Sequence, residues 1–318
     1  MMFSITQLFL FVLSLKFVQS TPLAQRSTSY NQTLLPWERT SSTGYGTLTT
    51  QVQDNGAVLR VTINNPPINL YGVKLLNDMS QFLNSLVPGS TNVSTPAPKV
   101  VIFASALPGF WMSTTNPYDT ATSNALFNLA VAAPALLRTL PTIFIAEIDG
   151  RATGSGNEFL VQCDMGFAGP DAIVGSLEVA IGGLEGNGGI QYVVRRLGMA
   201  RAAEYLLSSA SLDAETAAEV GWVNRAYKTS QQLTTSVNAL ASRIALFDAG
   251  ALNATKTGIR ANGPSSDQVA ADIASILRLF PEEQVLLPKW LTLSQNLTAN
   301  EFTLGALRSV GEVEKLYQ

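Results

Sequence analysis

Two glutamates, Glu158 and Glu178, are the side chains of this sequence best suited to move protons. The sequence has no histidine, so the side chain that most often exchanges protons near neutral pH is missing. Acid–base chemistry must then depend on carboxylates, lysine, tyrosine or the single thiol. If the two glutamates share one site, their environments can keep one neutral and one ionised, as an acid/base pair requires.

A turn of small residues precedes Glu158 and predicts an anion-binding element. The strand-like run Thr142–Ile148 is followed by the glycine-containing stretch 150–156 and then by a short helix from about Asn157. Such a turn directs backbone N–H groups and the positive end of the helix at one point. An anion or a developing oxyanion is the natural occupant of that point.

Both glutamates also have a purely structural interpretation. Ser155-x-x-Glu158 matches a capping box, in which serine and glutamate satisfy N–H groups at the start of a helix, and the local pattern alone favours that role. Glu178 lies between a short Gly-Ser-Leu stretch and the glycine-rich run Gly182–Gly189. Taken alone, it is expected to be a solvated carboxylate in a turn.

The elements around these residues alternate between strand and helix. Apolar patterning predicts, in chain order, a strand at Ala57–Ile63, a helix at Val73–Val87, a strand at Val100–Ala104, a helix at Tyr118–Arg138 and the strand at Thr142–Ile148. This order predicts an α/β fold with repeated strand–helix turns around one core. The pattern then becomes almost entirely helical: Gly188–Leu197, Met199–Leu207, Asp213–Val220, Gln231–Phe247 and several C-terminal segments.

Composition excludes several classes of function. The chain has 318 residues, of which 46% are hydrophobic and 14% charged, and its formal net charge is −3. These values are typical of a globular protein and give no field that would attract nucleic acid. Cys163 is the single cysteine, so no intramolecular disulfide can form. Because it lies in an apolar run, we expect it to be buried rather than nucleophilic.

The N-terminus predicts a cleaved secretory signal over residues 1–20. Leu8–Leu15 is apolar, and Val18-Gln19-Ser20 supplies small residues where a signal peptidase cleaves. Since the apolar run is too short to span a membrane, we expect the protein to be secreted or lumenal in the secretory pathway. A loose segment is predicted over 21–50. N-x-S/T sequons for N-glycosylation begin at Asn31, Asn92, Asn253 and Asn296. Chance alone would supply about this many.

Several motifs, in order, resemble the crotonase (enoyl-CoA hydratase/isomerase) superfamily. Three segments match the family pattern N-G-x-A-x-G-G-G-x-E-L…C-D: Asp149-Gly150-Arg151-Ala152, Gly154-x-Gly156-x-Glu158-Phe159 and Cys163-Asp164-Met165. Three further segments are similar to other parts of the family pattern, which is given in parentheses: Ile63-Asn64-Asn65-Pro66-Pro67-Ile68-Asn69 (N-P-P-x-N), Glu178-Val179 (P-E) and Gly182–Gly189 (G-x-x-P-G-x-G-G). The resemblance spans roughly residues 50 to 250. It implies a crotonase-like core over 51–250 and a C-terminal helical region over 251–318.

The resemblance also implies a fold and a site. The fold would be a spiral of repeated β-β-α turns. Glu158 and Glu178 would handle water and the α-proton at a double bond, and the amides of Thr115 and Ser155 would form the oxyanion hole. Neither a cofactor nor a metal is expected, and a homotrimer or hexamer is usual for proteins of this family.

The sequence differs from the family pattern at four positions near this site. Thr114 and Ser155 each replace a glycine, Glu185 replaces the proline of the glycine-rich loop, and Asn116 replaces an aspartate. A β-branched residue such as Thr114 is poorly suited to positive φ. Ser155 would act through its main chain, which the replacement leaves intact.

The expected function is therefore that of an enoyl-CoA hydratase/isomerase-like lyase or isomerase acting on an α,β-unsaturated acyl thioester or free carbonyl substrate. The predicted secretory signal conflicts with the locations where CoA thioesters are found. Two alternatives follow from that conflict. One is a secreted, non-catalytic binding protein on the crotonase fold, and the other is a secondary-metabolite dehydratase that does not use CoA.

Overall fold

The structure is a computed structural model, and it describes residues 44–90, 96–113 and 124–295. Within these ranges, side-chain surroundings are not described for residues 124–130, 280–284 and 287–295. The described residues belong to one unit of the chain, Leu34–Gln318. The predicted signal over residues 1–20 lies outside the described residues, as do three of the sequons, those at Asn31, Asn92 and Asn296.

The strands of the described residues are short. In chain order they are β1 (Leu48–Gln53), β2 (Val58–Ile63), β3 (Val100–Ser105), β4 (Gly109–Met112), β5 (Ile143–Ile148), β6 (Gly150–Thr153), β7 (Met165–Ala168), β8 (Ile173–Gly175), β9 (Leu212–Asp213) and β10 (Arg225–Ala226). Two 3₁₀ turns accompany them, Asp54–Gly56 and Val179–Ile181.

The helices of the described residues are more numerous toward the C-terminus. They are α1 (Val73–Ser85), α2 (Asn124–Thr139), α3 (Ser155–Gln162), α4 (Gly189–Leu197), α5 (Met199–Ser208), α6 (Ala214–Val220), α7 (Ser230–Ala245), α8 (Ala249–Arg260) and α9 (Ser266–Gln295). None of the helices in the described ranges has the length and apolarity needed to cross a membrane.

The strands form two sheets, and from β3 to β8 the chain alternates between them. The first has the order β1-β2-β3-β5-β7-β10 and the second the order β4-β6-β8-β9. All neighbours are parallel except the pairs β1–β2 and β8–β9. A strand of the first sheet is followed by one of the second and then by a helix, as in β3-β4-α2 and β5-β6-α3. This is the repeated β-β-α turn, so the predicted fold class is confirmed.

Apolar side chains cover both faces of the first sheet. Every residue of β5 is buried, as expected for a parallel strand that is covered on both sides. On one face the ring of Phe103 stacks on Phe144 with centroids 5.9 Å apart and contacts Phe159 edge-on at 5.1 Å. On the other face, Leu233 and Val237 of α7 pack against the strands.

The boundaries of the predicted elements differ from the structure in two respects. The segment predicted to be loose up to residue 50 already contains the start of β1, and both Tyr45 and Leu48 are buried. The sequence also missed β4 and β6 to β10, because strands of two to four residues are too short to show a period of two. The predicted helix Tyr118–Arg138 is found from Asn124 onward, and its start lies outside the described residues.

Candidate active site

The turn between β6 and α3 positions Ser155 and Glu158. Gly154 precedes the helix with φ 59° and ψ −129°, a conformation that is open to glycine and strained for other residues. Its N–H donates to the carbonyl oxygen of Gly175 at 3.2 Å, which fixes the turn to the end of β8. Ser155 is then the first residue of α3, where the helix dipole is positive. The amide predicted to stabilise an oxyanion therefore lies at the helix N-terminus.

The first turn of α3 lies directly against β4. A Cβ added to Gly156 would be 1.9 Å from the carbonyl oxygen of Met112, the last residue of β4. Only glycine allows such a close approach of two backbones. The segment that follows β4 contains the other predicted oxyanion donor, Thr115. Thr115 lies outside the described residues, together with Thr114 and Asn116, so its role stays a prediction.

The capping-box interpretation of Glu158 is wrong. A capping box needs serine at the N-cap and glutamate at the third helical position, but Gly154 is the N-cap and Glu158 is the fourth residue of α3. Instead, Oε1 of Glu158 accepts a hydrogen bond of 2.5 Å from the backbone N–H of Gly186. The carboxylate therefore joins α3 to the glycine-rich loop Gly182–Gly189.

Glu178 is not the solvated turn carboxylate that the local pattern favours. It lies between β8 and the 3₁₀ turn Val179–Ile181 and is 6% exposed. Its Oε2 accepts a hydrogen bond of 2.6 Å from the hydroxyl of Ser176. A buried carboxylate with a hydroxyl donor has the surroundings of a functional group rather than those of a surface charge.

A third carboxyl, that of Glu185, brings the two predicted glutamates together. It is 2% exposed, and its Oε1 accepts a hydrogen bond of 2.8 Å from Nδ2 of Asn157. Burial raises the pKa of Glu185 well above its usual value, and the charges of Glu178 and Glu158 raise it further. Both predicted glutamates therefore lie close to the same buried carboxyl. Sequence reasoning noted Glu185 only as a departure from the family pattern, and that departure was the available signal.

Tyr71, which sequence reasoning missed, contributes a buried hydroxyl to the same region. The side chain is 5% exposed, and its hydroxyl has no hydrogen-bond partner among the described residues. Its ring contacts Phe159 edge-on, with centroids 6.4 Å apart. Burial raises the pKa of Tyr71, and the charge of Glu158 raises it further. The phenol is therefore neutral and remains a hydrogen-bond donor near Glu158.

Helix α9 supports the glycine-rich loop from the C-terminal part of the chain. Oδ2 of Asp272 accepts a hydrogen bond of 3.0 Å from the N–H of Gly188. Ile276 packs so closely on Gly186 that an added Cβ there would be 2.3 Å from its Cδ1. Leu286 packs on the small apolar cluster next to the Val179–Ile181 turn. The loop that carries Glu185 is thus held by a helix far away in sequence.

Cys163 has the structural role that the sequence predicts. The thiol is buried and forms no disulfide. Burial is the larger cause that raises the pKa of Cys163 to about 12, and the charge of Asp164 is the second. A cavity of about 610 Å³ lies beside it, lined in part by Tyr192 and by Lys256 of α8. Glu158, Glu178 and Ser155 do not line this cavity, so it is separate from the site described above.

Comparison with known proteins gives one consistent family. The profile of the enoyl-CoA hydratase/isomerase family matches residues 53–283. The chain is 29% identical over 230 residues to 2,3-dehydroadipyl-CoA hydratase of Escherichia coli K12, a match that covers 70% of this chain and 85% of that protein. It is 35% identical over 96 residues to the mitochondrial methylglutaconyl-CoA hydratase of Rattus norvegicus, which covers 30% of each chain.

The solved structures agree with the sequence comparisons. An enoyl-CoA hydratase homologue from Streptomyces avermitilis matches with a TM-score of 0.74 and 33% identity, covering 86% of this chain and 98% of that one. The region matched by the family profile includes both sheets apart from β1, the α3 turn and the glycine-rich loop. The chain therefore belongs to the enoyl-CoA hydratase/isomerase family of the crotonase superfamily and is an enzyme of the hydratase/isomerase type.

Proposed function

We propose that this enzyme hydrates, or shifts, the double bond of an α,β-unsaturated acyl thioester and that Glu158 and Glu178 are its proton-transfer pair. The observation that carries the proposal is that both carboxyls lie at the glycine-rich loop: Glu158 accepts a hydrogen bond from the N–H of Gly186, and the charges of Glu158 and Glu178 both raise the pKa of Glu185. The lack of histidine supports it further, because carboxylates are then the groups available for proton transfer near the turn of α3.

Hydration by such a pair conserves its protons. One glutamate is ionised and accepts a proton from water while the water oxygen bonds to Cβ of the substrate. The electrons of the double bond move toward the thioester carbonyl, whose oxygen becomes negative. The other glutamate is protonated and donates its proton to Cα as the carbonyl re-forms. The product is a β-hydroxyacyl thioester, and the pair has exchanged one proton for another.

The proposed oxyanion hole stabilises the negative carbonyl oxygen in this sequence of steps. The backbone N–H of Ser155 at the start of α3 is one donor in the proposal, and that of Thr115 is the other. Removal of one donor from such a hole typically raises the barrier by roughly 3–4 kcal/mol. The close contact of Gly156 with Met112 supports the proposal, because it holds the start of α3 against the strand that leads toward Thr115.

We propose CoA as the acyl carrier. The two hydratases named above act, by their names, on CoA thioesters of unsaturated dicarboxylic acids. Neither name fixes the acyl group of this enzyme, so the proposal extends to enoyl-CoA thioesters as a class. Retention of two glutamates rather than one favours hydration over isomerisation, which can run on a single base.

The predicted secretory signal favours a second candidate with the same chemistry. In a secretory compartment, the acyl group would be attached to a carrier other than CoA, or the substrate would be a free unsaturated carbonyl compound. The same two glutamates and the same oxyanion hole would serve that reaction. The scaffold would act only as a binding protein if the site had lost its chemistry.

Product analysis with a small panel of substrates tests these candidates. The purified protein would be incubated with crotonyl-CoA, 2,3-dehydroadipyl-CoA, methylglutaconyl-CoA and the N-acetylcysteamine thioester of crotonate, which lacks the nucleotide of CoA. We expect the CoA thioesters to lose their enoyl ultraviolet absorbance and gain the mass of one water. A product of unchanged mass would indicate isomerisation instead. Turnover of the N-acetylcysteamine thioester alone would favour a carrier other than CoA, and no turnover of any compound would contradict an acyl thioester as the substrate.

A further inference from the structure

The carboxyl of Glu185 is oriented by a short chain of hydrogen bonds. The indole Nε1 of Trp222 donates to Oδ1 of Asn157 at 2.8 Å. Because an indole N–H can only donate, Oδ1 of Asn157 must face Trp222 and its Nδ2 must face Glu185. Nδ2 in turn donates to Oε1 of Glu185 at 2.8 Å. Oε1 is therefore the acceptor oxygen of this carboxyl.

The other oxygen of Glu185 has a different environment. Oε2 is buried without a hydrogen-bond partner among the described residues, and the nearby hydroxyl of Ser176 donates instead to Oε2 of Glu178 at 2.6 Å. The group that interacts with this carboxyl most strongly is Glu178, itself a hydrogen-bond acceptor when ionised. Two neighbouring buried carboxylates repel each other, whereas one carboxylate and one carboxylic acid attract through a shared proton. Since Oε1 is occupied by Asn157, the proton belongs on Oε2.

We propose that Glu185 is a positioning residue of the active site, which holds one proton on Oε2 and donates it in a hydrogen bond to the Glu178 carboxylate. In this arrangement Glu178 accepts one bond from Ser176 and one from Glu185, so its carboxylate is oriented by two donors. The proton on Glu185 then removes one negative charge from the three glutamates. The role in catalysis rests on the proposed function, but the location of the proton does not.

The remaining charged groups near the loop do not compete for this proton. Arg138 of α2 donates to the backbone carbonyl of Asn187 at 3.3 Å, and Asp272 of α9 accepts from the N–H of Gly188. Both side chains are engaged with the backbone of the loop. The Glu185 carboxyl instead faces Glu178, Glu158 and the hydroxyl of Ser176.

A purely structural alternative is that Glu185 serves only as the acceptor for Asn157. Two variants separate the possibilities. Glu185→Gln keeps an acceptor for Asn157 and presents an amide N–H to Glu178, but it cannot ionise. Glu185→Leu removes both the acceptor and the donor. The two roles predict different infrared spectra and a different dependence of turnover on pH. Both properties can be measured on the intact protein.

The infrared test needs no substrate. The difference spectrum of the wild-type protein minus Glu185→Gln at neutral pH should contain the C=O stretching band of a protonated carboxylic acid. If the difference shows only carboxylate bands, Glu185 is ionised and the proposal is wrong. This result is independent of whether Glu158 and Glu178 transfer protons, so a failure of the proposed function would not be mistaken for a failure of this inference.

Turnover of crotonyl-CoA, or of the best substrate in the panel, tests the positioning role. Wild-type kcat should fall at alkaline pH when Glu185 loses its proton and places a further negative charge beside Glu178. Glu185→Gln should lack this alkaline fall and should be at least tenfold more active at neutral pH than Glu185→Leu. The proposal is overturned if Glu185→Leu equals the wild type, or if Glu185→Gln is as inactive as Glu185→Leu.

Discussion

The backbone N–H of Gly186 donates a hydrogen bond of 2.5 Å to Oε1 of Glu158, although the two residues are 28 positions apart in sequence. The contact ties the first turns of α3 to the glycine-rich loop that carries Glu185. The orientation of Glu158 therefore depends on the loop conformation as well as on its own helix.

Substitution of Gly156 by alanine should disrupt the contact between α3 and β4. The new Cβ would lie 1.9 Å from the carbonyl oxygen of Met112, so the two backbones must separate. Overpacking of this kind costs about 1–3 kcal/mol of the free energy of unfolding, and we expect activity to be lost with it. Urea denaturation of Gly156→Ala measures the first effect, and the substrate assay measures the second.

Gly258→Ala is the matched control for that variant. Gly258 lies in the last turn of α8, and an added Cβ there would meet nothing within 4 Å. Because alanine is the better helix former, this variant should gain about 0.5–1 kcal/mol in stability. A Gly156→Ala protein with wild-type stability would show that the start of α3 and the end of β4 are not in close contact.

The pH dependence of stability should carry the contribution of Glu185. In the folded protein the pKa of Glu185 is raised above the ordinary glutamate value of 4.5. At a pH above 4.5 the unfolded state has therefore released this proton, while the folded state still holds it. The free energy of unfolding therefore falls as pH rises through this window, by up to about 1.4 kcal/mol per pH unit for one proton. In Glu185→Gln this fall is absent, so the variant should become progressively more stable than the wild type as pH increases.

Glu204→Gln supplies the comparison, since Glu204 is an exposed glutamate on α5. Chemical denaturation at a series of pH values should show that the free energy of unfolding of this variant changes with pH as that of the wild type does. If Glu185→Gln also follows the wild-type slope, Glu185 has no raised pKa in the folded protein.

Tyr71→Phe should make the protein slightly more stable. The hydroxyl of Tyr71 is buried without a hydrogen-bond partner among the described residues, and an unsatisfied buried group costs about 1–3 kcal/mol. Removal of the hydroxyl keeps the ring contact with Phe159. We expect a gain of about 1 kcal/mol in the free energy of unfolding, measured by urea titration. A loss of similar size would mean that the hydroxyl has a partner that stabilises the fold.

The sequence predicted those parts of the fold that depend on long apolar patterns. β5 is buried along its whole length and its continuous apolar run was recognisable, as was the amphipathic pattern of α1. The strands of the second sheet were missed because β6 and β8 have four and three residues. Their pairing is set by the glycine turns between the sheets, for example at Gly150, whose Cβ would lie 2.4 Å from the backbone nitrogen of Phe110. Such contacts leave no periodic trace in the sequence.

The site was predictable only where motif spacing contained the information. Glu158 and Glu178 were singled out from their positions beside glycine-rich turns. The capping interpretation failed because the helix begins at Ser155 rather than after it, a difference of one residue. The surroundings of Glu185 could not be predicted, because Trp222 and Asn157, which orient it, are 65 positions apart in sequence.

The predicted signal gives a testable N-terminus. If residues 1–20 are removed during secretion, the mature protein recovered from the native host should begin near Thr21, because Val18-Gln19-Ser20 has the small residues that a signal peptidase requires. Mass spectrometry of the N-terminal peptide measures this directly. Protein that is found inside the cell with Met1 intact would contradict the prediction and would agree with ordinary acyl-CoA metabolism.

Whether Glu158 and Glu178 transfer the protons is tested most directly by the kcat/KM of their glutamine variants. Glu158→Gln and Glu178→Gln keep the shape of each side chain but remove its titrating group, so each should lower the rate by roughly 10²- to 10⁴-fold. The double variant should lose less than the product of the two effects, because the residues act as a unit. The exposed control Glu204→Gln should retain the wild-type rate. Wild-type rates in both single variants would contradict the account.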